Sequence, residues 1–380
     1  MNQFLVLFFL VFNFAFIDTA CQPDTSDKQT IQVIYGKPDF NKLTNIISEN
    51  DARSLVELLT HPVLEGRFAN SEEFDFAARF TERELKLLGY KPVFKDTASL
   101  LNNFRYRNVI YDYDPEKDNY ANPRTVYQKS NNVIGWIPGT TNEIVVISAH
   151  LDHVGRDMKT GAYFPGADDN ASGTAAVLQI ARAFSSIHKT GYRLRRGVVI
   201  ALWGAEELGL FGSRDFVKNI ENGNLPFKME NIVLVVNLDM VGRKFEHDSQ
   251  LKDGPKSVLI VGADEVSTAR DLQEKNPILI DNLDKIIATT DPSMSLLFDD
   301  GGKHFFRRTD TFSFVSAKPD VATIFFTGPE HKDYHAITDT AEKLDYNRLA
   351  RIAKIAFLLS ANFADSDLTP RCADCFVPKE

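Results

Sequence analysis

The chain has 380 residues, 43% hydrophobic and 25% charged, which excludes a disordered or fibrous protein and suffices for one large α/β domain or two smaller ones. A net charge of −9 at pH 7 gives no electrostatic attraction for nucleic acid or anionic lipid, so nucleic acid is set aside as a partner.

The opening stretch, Met1 to Ala20, runs MNQFLVLFFLVFNFAFIDTA and ends in small residues before Cys21. It reads as an export signal over residues 1–20, followed by a polar tether over 21–38; because it lacks Lys and Arg, an uncleaved anchor is the minority reading. Cys21 at the head of CQPDTSDKQT resembles the processed end of a bacterial lipoprotein, with Asp18 where such a motif usually carries Leu. An ordinary cleaved signal with an incidental Cys is the other reading. The expected location is therefore exported: periplasmic, held at the outer membrane through a lipid on Cys21, or secreted. The membrane is expected as a partner only through that lipid, and the oligomeric state is left open.

Ala52 to Leu59 and Ser71 to Leu88 show helical spacing of apolar residues, the second ending at Gly89, where a left-handed cap is expected. Tyr111 to Ser130, with Pro115, Pro123 and several Asn, reads as an irregular connection. Short apolar runs then alternate with helices. Strands are expected at Asn132 to Trp136, Glu143 to Ser148, Val198 to Trp203, Ile232 to Leu238, Val258 to Val261 and Val321 to Phe326. Helices are expected at Gly173 to Ser186, Gly212 to Asn219, Val266 to Lys275 and Tyr346 to Phe363. Near-continuous Val/Ile/Leu runs imply strands buried on both faces. The expected fold is α/β: a single catalytic domain over 39–365, with a central mixed, mostly parallel sheet flanked by helices on both faces. The tail, 366–380, carries Cys372-Ala-Asp-Cys375, a poor zinc site without a second pair and a local disulfide in an oxidising compartment.

The acidic and His residues fall at the ends of the expected strands. EIVVISAH runs into His150-Leu151-Asp152, VVIALWGA into Glu206-Glu207, IVLVVNL into Asp239, and ATIFFTG leads through a short loop to His335. In open α/β sheets ligands bind beyond the carboxyl ends of the strands, so these segments are expected to converge. Singly, an acid after a strand is most often a helix cap, and a lone His is most often structural. Together, two imidazoles and several carboxylates suit Zn²⁺, and also Co²⁺ or Mn²⁺, in a catalytic rather than a closed structural site. The Gly-flanked turn Gly166-Ala167-Asp168-Asp169-Asn170 opens a helix. Asp168 would there bridge two cations, one oxygen to each, while Asp169 and Asn170 cap the helix.

His150-Leu151-Asp152, PGADDNASG, Ala205-Glu206-Glu207, Asn237-Leu238-Asp239-Met240, and Asp333-Tyr334-His335 followed by Asp339-Thr340 resemble, in order, the motifs of metallopeptidase family twenty-eight, the co-catalytic di-zinc aminopeptidases. The resemblance runs from about Gly66 to the terminal helix and implies the zinc-aminopeptidase, phosphorylase/hydrolase-like arrangement. It further implies two Zn²⁺ ions, with Asp168 bridging, His150 and Asp239 completing one site, and Glu207 and His335 completing the other. Glu206 would be the general base, Asp152 would hydrogen-bond the second nitrogen of His150, and the Asp168–Asp169 peptide would be cis. His335 is preferred over His331 because only His335 has Tyr before it and Asp-Thr shortly after. One departure is Thr309-Asp310-Thr311-Phe312, where many relatives carry a His near the substrate.

The implied activity is removal of N-terminal residues from a peptide substrate by a water whose proton Glu206 takes and later passes to the leaving amine. Which end of a peptide is cut stays open: carboxylate recognition, as in a carboxypeptidase, would need placed Arg residues, and Arg307 and Arg308 are available, although a basic pair near a loop is more often solvated surface. The alternatives are a glutaminyl-peptide cyclotransferase, with a single zinc on the same scaffold, and a catalytically inactive binding protein that kept the fold.

Overall fold

The computed structural model describes residues 36–95, 97–114, 119–244, 257–261, 276–298, 307–318, 320–328 and 330–370. The signal, most of the tether, the helix expected at Val266 to Lys275 and residues 371–380 of the tail, with both its cysteines, lie outside the described residues. Among the described residues no helix is long and apolar enough to cross a membrane.

Nine strands form one sheet: β1 (Lys91–Pro92), β2 (Leu101–Asp114), β3 (Asn119–Ile137), β4 (Ile144–His150), β5 (Gly197–Trp203), β6 (Ile232–Leu238), β7 (Ser257–Val261), β8 (Ser295–Phe298) and β9 (Thr323–Thr327). Their order is β1-β3-β5-β4-β6-β9-β7-β8, with β2 paired to β3. At the centre β5, β4, β6 and β9 run parallel, while antiparallel pairs form both wings. Every residue of β4, β5 and β6 is buried, as their unbroken apolar runs require.

Successive side chains of these strands feed two cores. Val145, Ile147, Ile200, Leu234 and Val236 face helices Gly173–Lys189 and Tyr346–Ala364, whereas Val146, Val199, Ala201 and Val235 pack with Phe216 and Phe314 from helices Phe211–Glu221 and Thr311–Ala317. Helix Glu49–Leu59 starts where the Ser48 hydroxyl accepts the Asp51 N–H at 3.1 Å. Helix Glu72–Leu87 starts in the same way, with Ser71 accepting from Phe74 and three acids in the first turn. It stops at Gly89, whose φ of +89° is the left-handed conformation expected there.

One expectation needs correction, and two elements go beyond those expected. Tyr111 to Ser130 is not irregular: β2 and β3 pair antiparallel from Leu101↔Val133 to Asp114↔Asn119. Buried Phe104 and Tyr106 alternate with exposed Asn103, Arg105 and Arg107, a period-two pattern that polar composition obscures. Asn122 and Pro123 fall in the register shift opposite Tyr111, on a stretch paired on one side only, where a missing N–H is tolerated. Helix Pro277–Thr290 and strand β8 were not expected. The helix has Pro at its first position and an Asn276 cap, both readable as start signals.

Candidate metal centre

The parallel strands end on one edge, and that edge carries the site. His150 is the last residue of β4, Asp239 follows β6, and Glu206 and Glu207 lie beyond β5. The ends are stitched by the Leu151 N–H to the Trp203 carbonyl (2.7 Å) and the Asp239 N–H to the Phe326 carbonyl (3.0 Å). Convergence is thus a property of the sheet.

Two groups of donor atoms lie close enough to share a cation each: His150, Asp169 and Asp239, and His153, Asp169, Glu207 and His335. The His150 Nε2 lies 3.2 Å from Asp169 Oδ1 and 3.3 Å from Asp239 Oδ1. The His335 Nε2 lies 3.2 Å from Asp169 Oδ2 and 2.9 Å from Glu207 Oε2. Asp169 therefore turns one oxygen to each group.

Asp168, expected to bridge, does not occupy that place. Its Oδ1 accepts the Gly242 N–H at 2.7 Å, and its Oδ2 lies 3.1 Å from His331 Nε2. With both oxygens engaged, Asp168 belongs to neither donor group, and its neighbour takes the shared position. The cis peptide is likewise one residue later than expected, at Asp169–Asn170. Asn170 does cap the following helix, its Oδ1 accepting the Gly173 N–H at 2.9 Å, but Asp169 does not cap. His335, as preferred over His331, reaches the cluster.

Asp152 also differs from expectation. The His150 Nδ1 faces the Asp152 backbone carbonyl at 3.1 Å, while the carboxylate is 3.9 Å away. That carboxylate instead accepts the Glu206 N–H (3.1 Å) and the Glu207 N–H (3.4 Å). Burial pushes the Asp152 carboxyl up to about 7 against the pull of His150.

The loop holding Asp169 is fixed by two residues. Asp339, part of the Asp339-Thr340 motif, accepts the Asp168 N–H at 2.9 Å and the Asp169 N–H at 3.2 Å. Arg67 is buried and donates to the carbonyls of Leu59, Leu151, Pro165 and Gly166, which ties the loop to the end of β4. Only glycine fits at Gly166, where φ is +59° and a Cβ would stand 2.5 Å from the His153 ring.

Buried carboxylates need compensation, and here imidazole nitrogens stand closest to Asp169, Glu207 and Asp239. Asp169 Oδ2 and Asp239 Oδ1 are buried and face imidazole nitrogens at 3.2 and 3.3 Å without a well-aligned hydrogen bond, as expected of oxygens shaped for a cation. Burial lowers the His335 imidazole, but Asp169 and Glu207 outweigh it and bring it to about 10. Burial, with Asp310, Glu207 and Asp239 adding to it against His150, holds Glu206 well above the usual carboxylate range. Glu206 belongs to neither donor group and lines a cleft of about 400 Å³ together with Tyr334 and three arginines, Arg214, Arg307 and Arg308. Arg308 donates to the Tyr334 hydroxyl at 2.8 Å, and the Tyr334 ring stacks on His335.

The family model described as peptidase family M28 matches residues 132–360, from the end of β3 into the last helix. The chain belongs to peptidase family M28. Over 128 residues this M28 chain is 36% identical to aminopeptidase YwaD of Bacillus subtilis (strain 168), covering 33% of this chain and 24% of that one. It spans about a quarter or less of the curated relatives it matches. Among solved structures, BSAP, a zinc aminopeptidase from Bacillus subtilis, aligns with a TM-score of 0.60 and 16% identity over 87% of this chain and 98% of that one. The glutaminyl cyclase of Bacteroides thetaiotaomicron aligns with a TM-score of 0.57 and 19% identity over 83% and 98%. Both likenesses concern the M28 fold.

His153 was not singled out in the sequence. The one signal available was its place three residues after His150, just past the same strand.

Proposed function

We propose that this M28 chain is a zinc-dependent aminopeptidase that hydrolyses N-terminal residues from peptides with two cations in the cleft. The observation that carries the reading is the division of the Asp169 carboxylate between His150 and His335. Asp169 would be shared, with His150 and Asp239 completing one position and Glu207 and His335 the other. Bound there, the ions would supply Lewis-acid polarisation of the scissile carbonyl and lower the pKa of the attacking water.

The chain's own residues supply the rest. Glu206 projects into the cleft beside the donor groups, with its Oε2 3.9 Å from His150 Nε2. Its carboxylate, in the cleft and outside both donor groups, suits a base that takes a proton from water and returns it to the leaving amine. Asp152 sets its position by accepting its backbone N–H. Arg214, Arg307 and Arg308 place positive charge along the same cleft. The apolar segment Met1 to Ala20 supports export, with Cys21 as the site for a lipid.

The test is metal content together with hydrolysis of amino-acyl amides, free-carboxylate peptides, N-blocked peptides and an N-terminal Gln peptide. About two zinc per chain with release from free N-termini is expected. One zinc with ring closure of the Gln peptide would replace the reading by that of a cyclase, and no metal after reconstitution would leave a binding protein.

A further inference from the structure

His153 stands inside the donor cluster, yet no role above uses it. It is completely buried, and its backbone N–H is tied to the Arg67 carbonyl at 3.2 Å. Its Nδ1 lies 2.8 Å from Glu207 Oε1 and 3.7 Å from Asp169 Oδ2. The other oxygen of Glu207 lies 2.9 Å from His335 Nε2. One carboxylate is thus held between two imidazoles, one oxygen to each.

The surroundings of His153 decide which nitrogen carries the proton. A proton on Nδ1 makes a hydrogen bond to Glu207. A proton on Nε2 would set two lone pairs 2.8 Å apart and bury an N–H that has no acceptor, since Nε2 is buried without a hydrogen-bond partner. The ring is also held in place. Gly166 leaves room for it at a separation no side chain would allow, and the His335 ring meets it edge-on with centroids 5.6 Å apart.

We propose that His153 is a positioning residue: its Nδ1–H holds Oε1 of Glu207 so that Oε2 faces the cation position shared with His335 and Asp169. Together with Asp152, which accepts the Glu207 N–H, it makes the two residues after His150 and Leu151 a clamp on Glu207, one on its backbone and one on its side chain. This inference rests on the metal reading proposed above.

The experiment is zinc titration of the metal-free full chain and of His153→Ala and His153→Asn, joined to an X-ray absorption count of imidazoles per bound zinc. His153→Ala is expected to weaken one of the two zinc sites by about 10–100-fold and leave the other within about twofold. His153→Asn, which restores an N–H donor, is expected to recover most of that loss. About one imidazole per zinc is expected in the wild type and in His153→Asn alike. Unchanged affinities in His153→Ala overturn the proposal, because His153 would then be idle. So does a wild-type count of about three imidazoles for two zinc that drops in His153→Asn, because His153 would then be a ligand itself. The wild-type count needs no variant, so the test stands if His153→Ala does not fold. Failure of the metal reading has a different signature, a wild-type chain that takes up no zinc, and overturns this proposal with it.

Discussion

The two donor groups differ in how one histidine of each is mounted. His150 and Asp239 are fixed directly at the ends of the buried central strands β4 and β6, and the His150 side chain is 1% exposed. His335 comes from a loop after β9, has a φ of +49°, and its side chain is 36% exposed. That loop is held by side chains: Asp333 accepts from Arg243 (3.0 Å), Lys343 (2.8 Å) and Thr338 (2.6 Å). Strand ends give precision at no local cost, whereas a loop-borne group needs its own anchors and opens at lower free energy.

The largest expected effect removes what the halves share. Asp169→Ala should abolish zinc binding in both positions and with it all hydrolysis, read by metal analysis after gel filtration. Asp168→Asn should keep both zinc ions within about tenfold, and equal losses in the two variants would return the bridging role to Asp168. Next, Glu206→Gln should lower kcat by about 10²–10⁴-fold with zinc content unchanged, because it removes a proton carrier and no ligand. Loss of zinc in that variant would move Glu206 into a donor group.

A sharper contrast comes from His335→Ala and His150→Ala. The first should leave about one zinc per chain, and limited chelation of the wild type should empty the His335 side first, giving two phases in a chelator-release assay. A single phase would erase the distinction between strand and loop.

The smallest effect is expected for Asp333→Asn, with a stability loss of about 1–3 kcal/mol by chemical denaturation. Burial raises the Asp333 carboxyl, but hydrogen bonds from Lys343, Thr338 and Arg243 outweigh it and hold it below the usual range. Its stabilisation is therefore complete above the ordinary Asp range and is lost only as pH falls through the depressed folded value. The difference between variant and wild type should shrink only in strongly acidic solution.

How much of this was legible in the sequence depends on what each residue answers to. The strand runs and the residues just beyond them were readable, because a parallel sheet delivers its C-terminal ends to one edge whatever the loops do. Asp168 and Asp169 were not separable: they are adjacent and identical, and the choice is made by the Gly242 N–H and His331, both far along the chain. The part played by Asp152 was misplaced for the same reason, since its partners are backbone N–H groups beyond another strand. The β2–β3 hairpin was hidden because its outward-facing positions are polar and its Pro falls in a register shift.

The Asp152 carboxylate touches two consecutive N–H groups, that of Glu206, the proposed proton carrier, and that of Glu207, a member of the donor cluster. On the proposed reading, proton transfer and ion retention would share a single mechanical mount. A substitution that retunes the base by shifting its backbone shifts the adjoining donor too, so adaptation of the pH optimum at this peptide is coupled to ion affinity and would have to come from the cleft wall instead.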